Sequence, residues 1–130
     1  MGEQPDNYEV LKTPIPTDDP LSIMKIASES EALSYQVATK LLSCENQLAA
    51  IEHRITVERM RTIVDNSGDK VAVSASKADA AVAALKEKAD LLEASIKYYK
   101  YVGRLIESRC SLSQTFLANL TVQIKSGLIK

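Results

Sequence analysis

The chain contains few of the residues that build compact globular cores or interrupt helices. Among 130 residues there are five Tyr, one Phe and no Trp, whereas a globular core usually contains more large rings. Glycine and proline number four each, and three of the prolines precede residue 17. Most of the sequence is therefore free of helix breakers.

Residues typical of catalytic and metal sites are equally scarce. His53 is the only histidine, and no Cys or carboxylate cluster at ligand spacing accompanies it. Cys44 and Cys110 fall on apolar positions, which favours two buried small hydrophobic residues over a disulfide or a metal site. Glycine-rich phosphate-binding motifs are absent. We therefore expect no enzymatic activity, no metal and no cofactor.

Membrane and export signals are also lacking. No apolar run approaches the roughly 18 residues of a membrane span. Residues 1–6 have neither the basic nor the apolar stretch of a signal peptide. The sequence predicts a cytoplasmic protein without membrane association.

What the chain does contain is a long heptad pattern between residues 82 and 124. Its positions alternate in steps of three and four residues, which predicts one long helix packed on another helix. We call this set the second seam. It consists of Val82, Leu85, Ala89, Leu92, Ile96, Tyr99, Gly103, Ile106, Cys110, Ser113, Leu117, Leu120 and Ile124.

A similar pattern, the first seam, precedes it. Its members are Leu33, Val37, Leu41, Cys44, Leu48, Ile51 and Ile55. Two seams separated by a polar turn predict an all-α fold, a long antiparallel helical hairpin of the coiled-coil type. The expected organisation is a flexible acidic arm at 1–19 and one helical domain at 20–130, with helices at about 20–27, 29–64 and 75–126.

Local signals set these boundaries. Asp19 before Pro20 is a typical helix start. The capping-box pattern at Ser28 predicts a break, and Ser76 with Asp79 predicts the start of the last helix. Residues 71–73 are expected to form a brief extended segment.

A two-helix hairpin buries too little apolar surface to be stable alone. Tyr98, Val102 and Leu105 lie just off the second seam and widen its apolar face. We therefore expect a homo-oligomer, with helix packing by Leu85, Leu92, Ile96, Tyr99, Ile106, Leu117 and Leu120.

The net charge of −1 conceals an uneven distribution. Residues 1–20 carry five acidic side chains and one basic side chain, whereas residues 21–130 carry fifteen basic and twelve acidic side chains. Within the basic part, Lys97, Lys100, Tyr101 and Arg104 share one helix face, and Lys40 is expected near it from the facing helix. Cations that neutralise phosphates beside a stacking ring suit single-stranded nucleic acid. The alternative is the solvated outer face of a coiled coil.

Several short motifs resemble the T-even phage recombination mediator family (UvsY-like proteins). The likeness spans about residues 40–125 and rests on Asn66–Asp69, Ser76–Ala78, Asp90–Leu92, Ser95–Tyr99 and Cys110. The resemblance implies a small, all-helical, ring-forming protein that binds single-stranded DNA. It also implies two partners, a recombinase and a single-strand-binding protein, and the cytoplasm of a host cell. The chain departs from the family in its acidic arm, its net charge and Tyr99, where the family has a tryptophan.

The sequence thus predicts an oligomeric accessory protein that binds single-stranded DNA in recombination, repair or replication and helps to load a recombinase. The alternative is a non-enzymatic structural or adaptor protein, for example in phage assembly, without nucleic-acid binding.

Overall fold

The computed structural model describes residues 8–127 and shows an all-helical protein in which two helices pack against each other. A short 3₁₀ helix, Glu9–Lys12, precedes α1, Pro20–Asp65, and α2, Val71–Lys125. The predicted all-α fold is confirmed at this level. Glu3 and Asp6 of the predicted acidic arm lie outside the described residues.

The start of α1 follows the predicted capping signal. Asp19 Oδ1 accepts a hydrogen bond from the backbone N–H of Leu21 at 3.2 Å, and Oδ2 accepts one from the Ser22 hydroxyl at 2.5 Å. The Ser22 hydrogen bond lowers the pKa of the Asp19 carboxyl below its ordinary value. A carboxylate at this position also interacts favourably with the helix dipole.

The break predicted at Ser28 is wrong, because α1 is continuous from Pro20 to Asp65. Ile23, Ser30 and Val37 follow one another at intervals of seven residues, and all three are buried. This repeat keeps one face of the helix in contact through residue 28, so packing overrides the local capping signal. Ser30 was not recognised as a packing position because it is polar.

The chain reverses between Asp65 and Val71, and side chains from the start of α2 stabilise the reversal. The Ser74 hydroxyl donates to the carbonyl of Asn66 at 2.9 Å. Lys77 Nζ donates to Asn66 Oδ1 at 3.1 Å and to Asp69 Oδ2 at 2.8 Å. These contacts are consistent with α2 beginning at Val71, earlier than the predicted residue 75, so residues 71–73 are helical rather than extended.

The described chain divides into two compact units. The second unit, Lys40–Tyr98, contains the reversal and the helix segments beside it. Within it, the seam side chains of Val82, Ala89 and Ile96 are buried, again at intervals of seven. Asp79 forms a salt bridge with Arg59 and so joins α2 to α1, instead of capping Ser76 as the sequence predicts.

The first unit consists of Met1–Thr39 and Tyr99–Lys130. Its apolar core contains Tyr8, Leu11, Val37, Val102 and Ile106, against which further partly buried side chains pack. These are Leu33, Tyr99, Leu105 and Cys110. Residues of the predicted flexible arm therefore form part of a packed core.

Self-association was expected because Tyr98, Val102 and Leu105 would otherwise be exposed, and the packing of the first unit covers two of these three residues. Val102 is only 1% exposed, and Leu105 is partly buried against the same core. We call residues 8–15 the N-terminal segment. Because its residues Tyr8 and Leu11 belong to that core, the segment supplies part of the cover that a second copy was expected to supply. Tyr98, in the second unit, is 46% exposed.

Arg109 fastens the N-terminal segment to α2. Its Nη1 donates to the carbonyls of Leu11 at 3.3 Å and Thr13 at 2.6 Å, and its Nη2 donates to the Thr13 hydroxyl at 3.0 Å. The Thr13 hydroxyl in turn donates to the carbonyl of Val10 at 2.7 Å. One buried arginine thus binds the main chain where the 3₁₀ helix ends.

Substitutions at two neighbouring positions test the packing of the N-terminal segment. Leu11→Ala removes a buried side chain and should lower the free energy of unfolding by about 2 kcal/mol. Val10→Ala alters a side chain that is 40% exposed and should change it by less than about 0.5 kcal/mol. Urea unfolding followed by circular dichroism measures both values. Trypsin cleavage after Lys12 should accelerate only in Leu11→Ala, and equal behaviour of the two variants would contradict the packing.

Candidate nucleic-acid interface

Lys100, Tyr101 and Arg104 lie on one exposed face of α2 in the first unit. Four residues separate Lys100 from Arg104, which is close to one helical turn. Val102 and Ile106 are buried on the other side of the helix, so the two cations point away from the core. Tyr101 is 49% exposed, which leaves much of its ring accessible.

The two cations of this face are not neutralised by acidic neighbours. Within residues 8–127, neither Lys100 nor Arg104 takes part in a salt bridge or a side-chain hydrogen bond. Glu107, one turn after Arg104, is exposed and does not pair with it. Both positive charges are therefore available to an external anion.

Lys97 and Lys40 belong to the second unit. Lys97 is exposed on α2 and makes no salt bridge with a described residue. Lys40 is half-buried on α1. Three of the five predicted nucleic-acid-binding residues thus lie on one face of the first unit, and the other two are carried by the second unit.

Cations near the chain reversal have a different environment. Arg59 pairs with Asp79, and Arg61 Nη1 lies 3.2 Å from Glu58 Oε1. Lys77 pairs with Asp69 at 2.8 Å. These cations form salt bridges with neighbouring acidic residues. Lys100 and Arg104 form none with the described side chains.

Arg109 adds to the count of basic residues in the sequence but is not part of the exposed basic surface. From the sequence it belongs to the basic part of the chain, but in the structure it is 6% exposed and holds the N-terminal segment. A signal for this role was present: Val102, Leu105, Arg109, Leu112 and Phe116 follow one another in steps of three and four. Arg109 therefore occupies an otherwise apolar stripe on α2.

The remaining features bear on other kinds of site. No group of three or more His, Cys, Asp or Glu side chains in residues 8–127 could hold a metal ion. Over the same residues, neither helix combines the length and apolar character needed to span a bilayer.

Comparisons with known proteins give no family assignment. No protein-family model matches the chain, and neither a curated protein nor a solved structure matches it.

Proposed function

We propose that this protein is an oligomeric accessory factor that binds single-stranded DNA through the exposed cations of α2. Lys97, Lys100 and Arg104 neutralise phosphates, and Tyr101 stacks on a base. Lys40 is a secondary contact, since it is half-buried. One observation carries the proposal. Lys100 and Arg104, which have no acidic partner among the described side chains, lie on the same helix face as the exposed Tyr101.

The chemistry of this face suits a single strand better than a duplex. Lysine and arginine follow the phosphates of any nucleic acid, and their binding releases counterions. An exposed tyrosine adds an interaction with an unpaired base, whose ring is accessible only in a single strand. Phosphate contacts and ring stacking do not depend on the identity of the base, so we expect little sequence preference.

The resemblance to the T-even phage recombination mediators supplies the biological setting of the proposal. In that setting the protein binds strands coated by a single-strand-binding protein and helps to load a recombinase. Both proteins are proposed partners. A ring of copies would align several weak contacts along one strand, which raises the overall affinity.

An exposed face of α1 is the proposed contact between copies in the homo-oligomer. Leu21, Met24 and Tyr35 are 77%, 56% and 70% exposed in the first unit. Together with Ser28 and Glu31 they recur in steps of three and four residues, the spacing of a helix-packing face. This face replaces Val102 and Leu105 as the proposed contact between copies.

A structural or adaptor protein is the second candidate. Met60, Val64 and Val71 near the chain reversal are 63%, 68% and 87% exposed. Exposed apolar side chains grouped in this way are typical of surfaces that bind another protein. An adaptor would use this surface and would not require DNA.

Replacing the three proposed phosphate contacts should weaken DNA binding strongly. The triple variant Lys97→Gln, Lys100→Gln, Arg104→Gln should reduce affinity for a fluorescent oligothymidylate at least about tenfold at low salt, because three charge contacts are lost. The slope of log affinity against log salt should become shallower by about 2. Fluorescence anisotropy at several salt concentrations measures both quantities.

A matched variant separates specific contacts from net charge. Lys25→Gln, Lys70→Gln, Lys88→Gln removes the same number of charges from exposed positions outside the proposed face. Its affinity should stay within about twofold of the original. Equal losses in the two triple variants, or no binding by the original protein at low salt, would leave the adaptor as the better explanation.

The role of Tyr101 can be tested without changing charge. Tyr101→Leu should weaken binding of the oligonucleotide by about 1 kcal/mol, because a stacking ring is lost, and Tyr101→Phe should retain most of the affinity. Quenching of tyrosine fluorescence on titration should be smaller in Tyr101→Phe than in the original protein, and this difference isolates Tyr101 from the other four tyrosines. Equal affinities for the leucine and phenylalanine variants would contradict stacking.

Self-association should depend on the exposed face of α1. The purified protein should sediment as a homo-oligomer, and Met24→Glu with Tyr35→Glu should shift it toward the monomer, because two charges then enter the proposed contact. Asn46→Glu with Ala50→Glu, at exposed positions of the same helix, provides the control. Sedimentation of the original protein as a monomer at all concentrations would remove the ring from the proposal.

A further inference from the structure

The guanidinium of Arg109 is buried without a negatively charged partner. The residue is 6% exposed, and the acceptors that it contacts are two carbonyls and one hydroxyl. No carboxylate among the side chains that the structure describes forms a salt bridge with it. A buried charge is normally paired with an opposite charge, because neutral acceptors only partly replace the lost hydration.

Its hydrogen bonds are also incomplete. A guanidinium has five N–H donors in a fixed planar arrangement. The contacts of Arg109 with Leu11 and Thr13 involve Nη1 and Nη2, and Nε has no acceptor among the described residues. Arg109 therefore retains capacity for an oxygen acceptor from outside the chain.

A cavity adjoins this guanidinium within the first unit. It has a volume of about 280 Å³ and lies between the N-terminal segment and α2. Ile15 lines it from the segment, and Leu105, Leu112 and Phe116 line it from α2 beside Arg109. None of the lining residues is acidic. The cavity walls are mostly apolar, and Arg109 contributes one positive charge to them.

We propose that this cavity is a binding site for a small organic carboxylate with an apolar body. The carboxylate would accept hydrogen bonds from Arg109 and supply the missing negative charge. The alkyl or aromatic body would pack against Leu112 and Phe116. The volume lies just below the usual range for ligand pockets, about 300–1,000 Å³, which limits the ligand to a small molecule.

The proposal is independent of DNA binding. Arg109 and the cavity lie on the side of α2 that faces the N-terminal segment, whereas Lys100 and Arg104 are exposed on another face. Loss of DNA binding in the triple lysine and arginine variant would not affect it. Conversely, an empty cavity would leave the DNA proposal unchanged.

Octanoate and octanol provide matched probes, because they share an alkyl chain and differ in charge. Titration calorimetry with the full chain should show octanoate binding at least about tenfold more tightly than octanol, since a charged hydrogen bond is gained. Acetate, which has the charge but almost no apolar body, should bind more weakly than octanoate. Octanoate should also raise the melting temperature in a concentration-dependent way.

Two variants locate the binding. Ser108→Trp places a large side chain at the rim of the cavity without altering Arg109, and it should weaken octanoate binding at least about tenfold. Ser111→Trp is the matched control on the same helix, because Ser111 is exposed and does not line the cavity. Its affinity should remain within about twofold of the original.

Arg109→Gln tests the charge. It should reduce octanoate affinity to that of octanol, and proteolysis after Lys12 will report whether the N-terminal segment stays in place. Equal affinities of octanoate and octanol for the original protein would overturn the proposal. Equal effects of Ser108→Trp and Ser111→Trp, or no octanoate binding at all, would overturn it too.

Discussion

Buried positions at intervals of seven residues, present on a part of each helix, are the constraint on which the other features depend. Ile23, Ser30 and Val37 keep this interval on α1, and Val82, Ala89 and Ile96 keep it on α2. Several of these side chains are small, which permits close approach of two backbones. Once this repeat fixes the rotation of each helix, the positions that face solvent are fixed as well. In the first unit, the burial of Val102 and Ile106 places Lys100 and Arg104 on the solvent side of α2.

The sequence was a good guide wherever structure follows from local pattern. The Asp19 helix start and both seams, except Ile124, which is exposed, could be predicted, because heptad spacing and capping act over a few residues. The break at Ser28 was predicted wrongly, since a capping box contributes less than continued packing of the residues on either side. The early start of α2 at Val71 is accompanied by contacts of Ser74 and Lys77 across the reversal, and the capping pattern at Ser76 does not predict these contacts.

The N-terminal segment could not be predicted for a related reason. Leu11 and Arg109 are separated by 98 residues in the chain, and a segment with prolines and without periodicity looks like a flexible arm. The candidate nucleic-acid interface was more accessible to prediction, because residues 100 to 104 are neighbours on any helix. Whether a cation is paired is a tertiary property, and it separates Arg104 from Arg59.

Arg104 and Arg109 lie on the same helix but in different environments, one exposed and one buried. Five residues at about 100° each place them roughly 140° apart around the axis. Arg104 is exposed to water. A guanidinium is only weakly hydrated, so a phosphate can replace its water at little cost. Arg109 has already exchanged water for the carbonyls of Leu11 and Thr13, so its guanidinium is not presented at the surface as that of Arg104 is. Within the first unit it holds the N-terminal segment, and in our proposal it also binds the carboxylate of a ligand in the adjoining cavity.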